Sequence, residues 1–354
     1  MTCLAHALDT LERCTAPKVR GVVRRVQGLA VSVGSLPAPI GAQVMVCSQS
    51  GPTPGEVVGL DGRDAVVMLL GDARGVGRGD LVELGDREAR AVVGPGLIGR
   101  VVNALGQPIE VEGRPVPPMD RPLIDQPLST GVRAIDALLP LGRGQRLGVF
   151  AAPGVGKSTL LAACAKHTAA DVSVIALVGE RGREIKHFVE NALGPEGLAR
   201  SVVVAATGDE PALLRLRAAR AATAIAEDFR DAGRDVLLVM DSVTRFAQAQ
   251  RQVGLSAGEP PTTRGYPPSV FSTLADLLER SGRTSAGSIT GLYSVLVEGQ
   301  DMDEPIADAC RGILDGHVLL DRKLAERGHF PAIDIPGSIS RVAGDVTDAG
   351  HTAA

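Results

Sequence analysis

The run Ala151-Ala-Pro-Gly-Val-Gly-Lys-Ser158 constrains this 354-residue chain more than any other feature. It follows an apolar stretch, Leu147–Phe150, and leads into helix-forming sequence from Lys157. A strand, a Gly-rich turn and a helix start in that order make a cradle for phosphate groups. Gly154 and Gly156 let backbone N–H groups turn inward, and the helix N-terminus adds partial positive charge. Pro153, Val155 and Thr159 complete the loop. Lys157 is placed to reach the terminal phosphates, and the Ser158 hydroxyl to ligate Mg²⁺. The motif's usual first Gly is Ala151 here.

Such a loop needs a sheet behind it, and the sequence from about residue 130 supplies one. Strand candidates are Leu147–Ala151, Val172–Val178, Ser201–Ala205, Val236–Met240 and Ser288–Val297. Helical stretches over Lys157–Ala169, Arg183–Leu193, Ala212–Ala232 and Ser269–Glu279 alternate with them. This alternation predicts an α/β fold with a mostly parallel sheet covered by helices. In such sheets, ligands lie at the strands' carboxyl ends. Asp241 ends one strand, where it serves either as a Mg²⁺-shell carboxylate or as a helix cap. Gly179-Glu-Arg-Gly-Arg-Glu184 ends another. Glu180 is the candidate to polarise a water, with Glu184 as its rival one helical turn on. A solvated helix start with paired charges is the plain alternative.

Earlier in the chain the texture differs. Residues 1–17 read as an amphipathic helix with Leu4, Leu8 and Leu11 on one face, packed on its own domain or docking a partner. Over 18–93, short Val-, Leu- and Met-rich runs (Gly21–Val26, Leu29–Val33, Gln43–Cys47, Glu56–Leu60, Ala65–Leu70) alternate with turns, predicting a small β-barrel or sandwich. Residues 94–128, rich in Pro and Gly, read as a connector.

Composition excludes some classes. With 37 basic and 41 acidic side chains, 2% aromatics and no Trp, the chain lacks the basic excess and stacking platforms of a nucleic-acid binder. No segment reaches the roughly 18 unbroken apolar residues of a membrane span. Asp9 and Glu12 do not fit a signal peptide. The five scattered cysteines, with no CxxC, predict reduced thiols and no metal site of their own.

Several longer motifs occur in order: Pro127–Asp136, the phosphate loop, Gly179–Glu184, Leu238–Phe246, Gly258–Phe271, Gly287–Thr290, Leu314–His317 and Pro331–Asp334. Together they closely resemble the type III secretion and flagellar protein-export ATPases, relatives of the F-type ATPase alpha and beta subunits, over about residues 18–345. The resemblance implies an N-terminal β-barrel, a RecA-like P-loop NTPase core over 129–341 and a C-terminal helical domain, of which only 342–354 could be present.

It further implies a homo-oligomer, a hexameric ring hydrolysing Mg-ATP at subunit interfaces to energise protein secretion. By motif position Lys157 and Ser158 are the phosphate-loop pair, Glu180 the catalytic glutamate, Arg181 an arginine near the γ-phosphate and Asp241 the Mg²⁺ aspartate. Phe330 matches an aromatic that stacks on adenine, and Arg341 an arginine donated across the interface. On the residues alone, Phe330 could equally be core and Arg341 a surface ion-pair residue. The implied partners are a stator-like export regulator at the N-terminal helix, a central stalk protein, an export gate, and exported proteins with their chaperones. No nucleic acid is expected. The implied location is cytoplasmic, peripheral at the inner-membrane export apparatus.

The Gly182 and Ile185–Phe188 details and Val297–Asp301 separate this branch from F- and V-type synthase subunits. Pro260–Tyr266 and Asp301–Pro305 favour the flagellar side. Two other readings stand beside it: a nucleotide-binding but catalytically impaired ring subunit, left open by the missing helical domain, and a ring-shaped RNA translocase, disfavoured by the negative net charge and few aromatics.

Overall fold

The computed structural model describes residues 18–85, 93–103, 117–297, 301–348 and 350–351. The chain divides into two compact units, Met1–Glu88 and Ala89–Ala354. The helix expected over 1–17, with Cys3 and Cys14, lies outside the described residues. Cys47, Cys164 and Cys310 are free thiols.

The first unit is a closed six-stranded antiparallel barrel. Its strands are β1 (Arg20–Gln27), β2 (Ala30–Gly34), β3 (Gln43–Ser48), β4 (Gly51–Asp61), β5 (Asp64–Leu69) and β6 (Leu81–Leu84), in the order β1-β2-β5-β4-β3-β6. Inward positions carry a Val-rich core: Val23, Val31, Val33, Val44, Val46, Val57, Val67, Leu69 and Val82. β4 begins five residues before the predicted Glu56. Pro52 and Pro54 face β3 only, before β5 joins at Gly55, so they occupy an edge where proline is tolerated.

The second unit is built on a nine-stranded sheet. Its path follows β17 (Ile333–Ser340), β16 (Gly316–Leu320), β10 (Arg146–Ala151), β15 (Ser288–Leu296), β13 (Asp235–Asp241), β11 (Val172–Glu180), β12 (Ser201–Thr207) and β7 (Val101–Asn103). The short β14 (Gly282–Arg283) pairs with β15, while β8 (Pro127–Leu128) and β9 (Leu141–Gly142) form a separate ribbon. Seven of the eight strands on the path, all but β17, pair in parallel, and β17 runs antiparallel to β16. Parallel strands buried on both faces read as continuous apolar runs, and β10, β11 and β13 do.

Two local differences from the sequence reading have physical causes. Val101–Asn103, inside the expected connector, pairs with Val203–Ala205 as the sheet's edge. Three residues are too few for a periodicity to register. The helix expected over Arg183–Leu193 is α-helical only over Gly182–His187 and then widens into a π-turn over Phe188–Leu193. The π-turn lets Phe188 and Leu193 both bury against the helix Lys157–His167 side of the core. Among the described residues, no helix is long and apolar enough to cross a membrane.

Candidate nucleotide site

The sheet brings three strand ends together. β10 delivers the phosphate loop, β13 delivers Asp241 and β11 delivers Glu180, with β15 lying between β10 and β13. Gly154 and Gly156 have φ of 83° and 87°. L-residues rarely adopt that conformation, so glycine is needed for the inward turn. Ala151 needs no such freedom. It is the fully buried last residue of β10, extended and paired with Leu296 and Leu320.

Behind the loop, Lys157 Nζ donates to Asp241 Oδ1 at 2.5 Å, and both side chains are buried. Ser294, on β15, donates its hydroxyl to the same Oδ1 at 2.8 Å. Glu180 accepts from Arg245 Nε at 3.2 Å and is 12% exposed. Its pKa is pushed up to about 7, first by burial and then by the negative charge of Asp241; Lys157 and Arg245 oppose the shift. A bulge at Gly179, φ 74°, turns Glu180 toward the site. A Cβ at Gly179 would lie 2.8 Å from Arg245 Cδ, so the glycine also admits that arginine.

Arg181 and Glu184 are both exposed and 3.4 Å apart, and the Glu184 side chain also hydrogen-bonds Glu180, adding to the upward shift there. Ser158 and Thr159 are exposed on the first turn of the helix Lys157–His167. Thr159 lines a cleft of about 560 Å³ with Val132, Gly154, Gly156, Leu160, Ala163, Phe330 and Pro331. Phe330 is 59% exposed and lies against Gly156, whose added Cβ would meet its ring at 3.2 Å. An apolar slot with an accessible aromatic beside a phosphate cradle has the shape of a purine nucleotide site.

Hard oxygen donors suit Mg²⁺ here: the Ser158 hydroxyl and two carboxylates whose mutual repulsion a dication would relieve. No group of three or more His, Cys, Asp or Glu that could hold a metal occurs among the described residues.

Arg341 lies elsewhere. Its N–H donates to Asp315 O, whose own N–H donates to Arg146 O, at the start of β10. The loop follows the other end of that six-residue strand, roughly 16 Å away at 3.3 Å per residue. Arg341 is exposed, donates to Arg311 O at 3.2 Å, and lines no part of the nucleotide cleft.

Sequence reasoning assigned no role to Arg245 or Ser294. Arg245 lay within the quoted Leu238–Phe246 motif, but only the bulge shows its partner. Ser294 is recognisable only once β15 is placed beside β13.

A RecA-like core with a phosphate loop, a strand-end Asp and a neighbouring Glu defines a P-loop nucleotide hydrolase. Residues 131–340 match the nucleotide-binding domain of the ATP synthase alpha/beta family. The chain is 50% identical to the flagellum-specific ATP synthase of Bacillus subtilis, over 97% of this chain and 82% of that one. It is 46% identical to the type 3 secretion system ATPase of Xanthomonas euvesicatoria, over 98% and 82%. The assembled ATPase EscN of the enteropathogenic E. coli type III secretion system superposes with a TM-score of 0.88 at 44% identity, covering 94% of this chain and 83% of EscN. EscN in complex with its central stalk EscO gives 0.85 at 43%, covering 94% and 82%. The chain belongs to the family of flagellar and type III secretion ATPases.

Proposed function

We propose that this chain is the ATP hydrolase of a flagellar or type III protein-export apparatus, working as a homo-oligomeric ring. The observation that carries the reading is the buried Lys157–Asp241–Glu180 cluster beneath the phosphate loop. Its named relatives include both flagellar and virulence-type ATPases, and the activity they share is the one assigned. The intact cluster speaks against a catalytically impaired subunit.

In this reading the loop's N–H groups and Lys157 bind the phosphates, and Phe330 stacks on the base. Ser158 and Asp241 would hold Mg²⁺, which would supply positive charge to offset that of the phosphates. Glu180, kept in place by Arg245, orients a water and accepts its proton. Arg181 lies beside the terminal phosphate once Glu184 releases it. Arg341, remote from its own loop, serves a neighbouring subunit's site. An oligomer around a central stalk is supported by the assembled EscN–EscO complex, and we take its number to be six. A stator-like regulator on the N-terminal helix, an export gate, and exported proteins with chaperones complete the partners. The placement is cytoplasmic, peripheral to the inner membrane.

The test is Glu180→Gln. It abolishes hydrolysis and spares Mg-ATP binding, measured by steady-state phosphate release and by calorimetry. Unchanged turnover overturns the assignment.

A further inference from the structure

A second cavity, about 500 Å³, lies on the other side of the phosphate loop. It shares no lining residue with the nucleotide cleft, yet the loop contributes to both: Pro153 to this chamber, Gly154 and Gly156 to the cleft. Thr244, Arg245, Gln248 and Arg251 line it from one helix, Val243–Ser256. Arg264 and Tyr266 come from the following turn, and Asp301 and Glu304 from a later loop.

The chamber's charges are unequal in freedom. Both acids are engaged. Asp301 pairs with Arg264 at 3.2 Å and accepts the Asp303 N–H at 3.0 Å. Glu304 accepts the Ile306 and Ala307 N–H groups at 2.9 and 3.0 Å. Arg251 has no such acid: its guanidinium stacks on Tyr266, 5.3 Å from the ring centroid, and no carboxylate pairs with it among the described residues. Arg264 is presented from a left-handed turn at φ 48°, a conformation rare for a non-glycine residue. Beside Arg245 stands a further cation, Arg215, which burial and Arg245's positive charge hold below its ordinary pKa. Its Nε is buried without a partner while Nη2 donates to Gln252 at 2.6 Å. Planar guanidinia grouped around a small cavity match a tetrahedral oxyanion.

We propose that this chamber receives the orthophosphate released by hydrolysis and holds it on Arg245, Arg251 and Arg264. The inference rests on the ATPase reading above. Arg245 touches Glu180 on one side and the chamber on the other, so it joins the two sites directly. Phosphate leaving this way need not pass the bound nucleoside diphosphate.

The test titrates inorganic phosphate into the nucleotide-free full chain by calorimetry, and separately into steady-state Mg-ATP hydrolysis. Lys157→Ala, which disables the nucleotide site, retains phosphate binding. Arg251→Gln weakens it about tenfold, as expected for one lost charge-assisted hydrogen bond. Arg264→Gln, at the exposed rim, weakens it in the same direction. In the hydrolysis assay phosphate inhibits non-competitively against ATP, and Arg251→Gln raises the inhibition constant while the KM for ATP is unchanged. Purely competitive inhibition, loss of binding in Lys157→Ala, or unaltered affinity in both arginine variants overturns the proposal. A chain with no hydrolysis removes the ATPase reading instead, and the calorimetric arm still decides whether the chamber binds phosphate.

Discussion

In the proposed reaction Glu180 meets two opposing demands: it must be a carboxylate to take a proton from water, and it must be buried to act on a sequestered one. Its folded pKa of about 7 is the outcome. An ordinary Glu titrates near 4.3. Between about pH 4.5 and 7 the folded chain therefore holds a proton that the unfolded chain has released. Stability falls as pH rises through that window, and the full cost is present above pH 7. Gln does not titrate and mimics the protonated form. Glu180→Gln is thus expected to be more stable than the parent near pH 8, by on the order of 2 kcal/mol, with the gap shrinking by pH 5. Urea midpoints of the nucleotide-free chain at the two pH values check this. A gap of equal size at both would mean that the charge at residue 180 carries no such cost. Loss of activity with gain of stability is the signature of a strained functional group.

At the scale of elements, the aromatic positions in the sheet explain two glycines. Gly148 and Gly291 each stand two residues before a ring, Phe150 and Tyr293, on the same face of their strands. A Cβ at Gly291 would lie 2.3 Å from Tyr293 Cε2, and one at Gly148 would lie 2.4 Å from Phe150 Cε2. Each glycine is the slot into which the ring folds. Tyr293 is fully buried, with its hydroxyl 2.5 Å from Ser281 Oγ. Gly291→Ala is expected to destabilise by about 1–3 kcal/mol, the range for overpacking a core, without altering nucleotide affinity; denaturant titration and calorimetry separate the two.

The same strands mark what a sequence can reveal. β10, β11 and β13 were legible because strands buried on both faces read as near-continuous apolar runs. β16 and β17 were not: β16 is only five residues long, and β17 alternates irregularly and is interrupted by Pro336 and Gly337. At the site, the phosphate loop, Asp241 and Glu180 were legible because each follows a recognisable strand. The Ser294 and Arg245 contacts depend on strand order, which local pattern does not encode.

At the scale of the whole molecule, the proposed role of Arg341 requires a second subunit. The strand β10 separates it from the phosphate loop of its own chain, a span no arginine side chain bridges. Any role in hydrolysis is therefore played at another subunit's site. This makes a complementation experiment decisive. Lys157→Ala has an intact Arg341 but no working loop, and Arg341→Ala has an intact loop but no arginine to receive from its own kind. Each alone is expected to be inactive or nearly so, since an arginine of this type contributes about 10³–10⁵ in rate. Mixed in equal amounts and allowed to exchange subunits, they place the Arg341 of one beside the loop of the other, and hydrolysis returns at a fraction of the interfaces. Activity then rises with total protein concentration, because assembly precedes catalysis. A mixture that stays as inactive as its components, while light scattering shows the two variants co-assembled, would place Arg341 outside the reaction and leave it as the surface residue its hydrogen bond to Arg311 suggests.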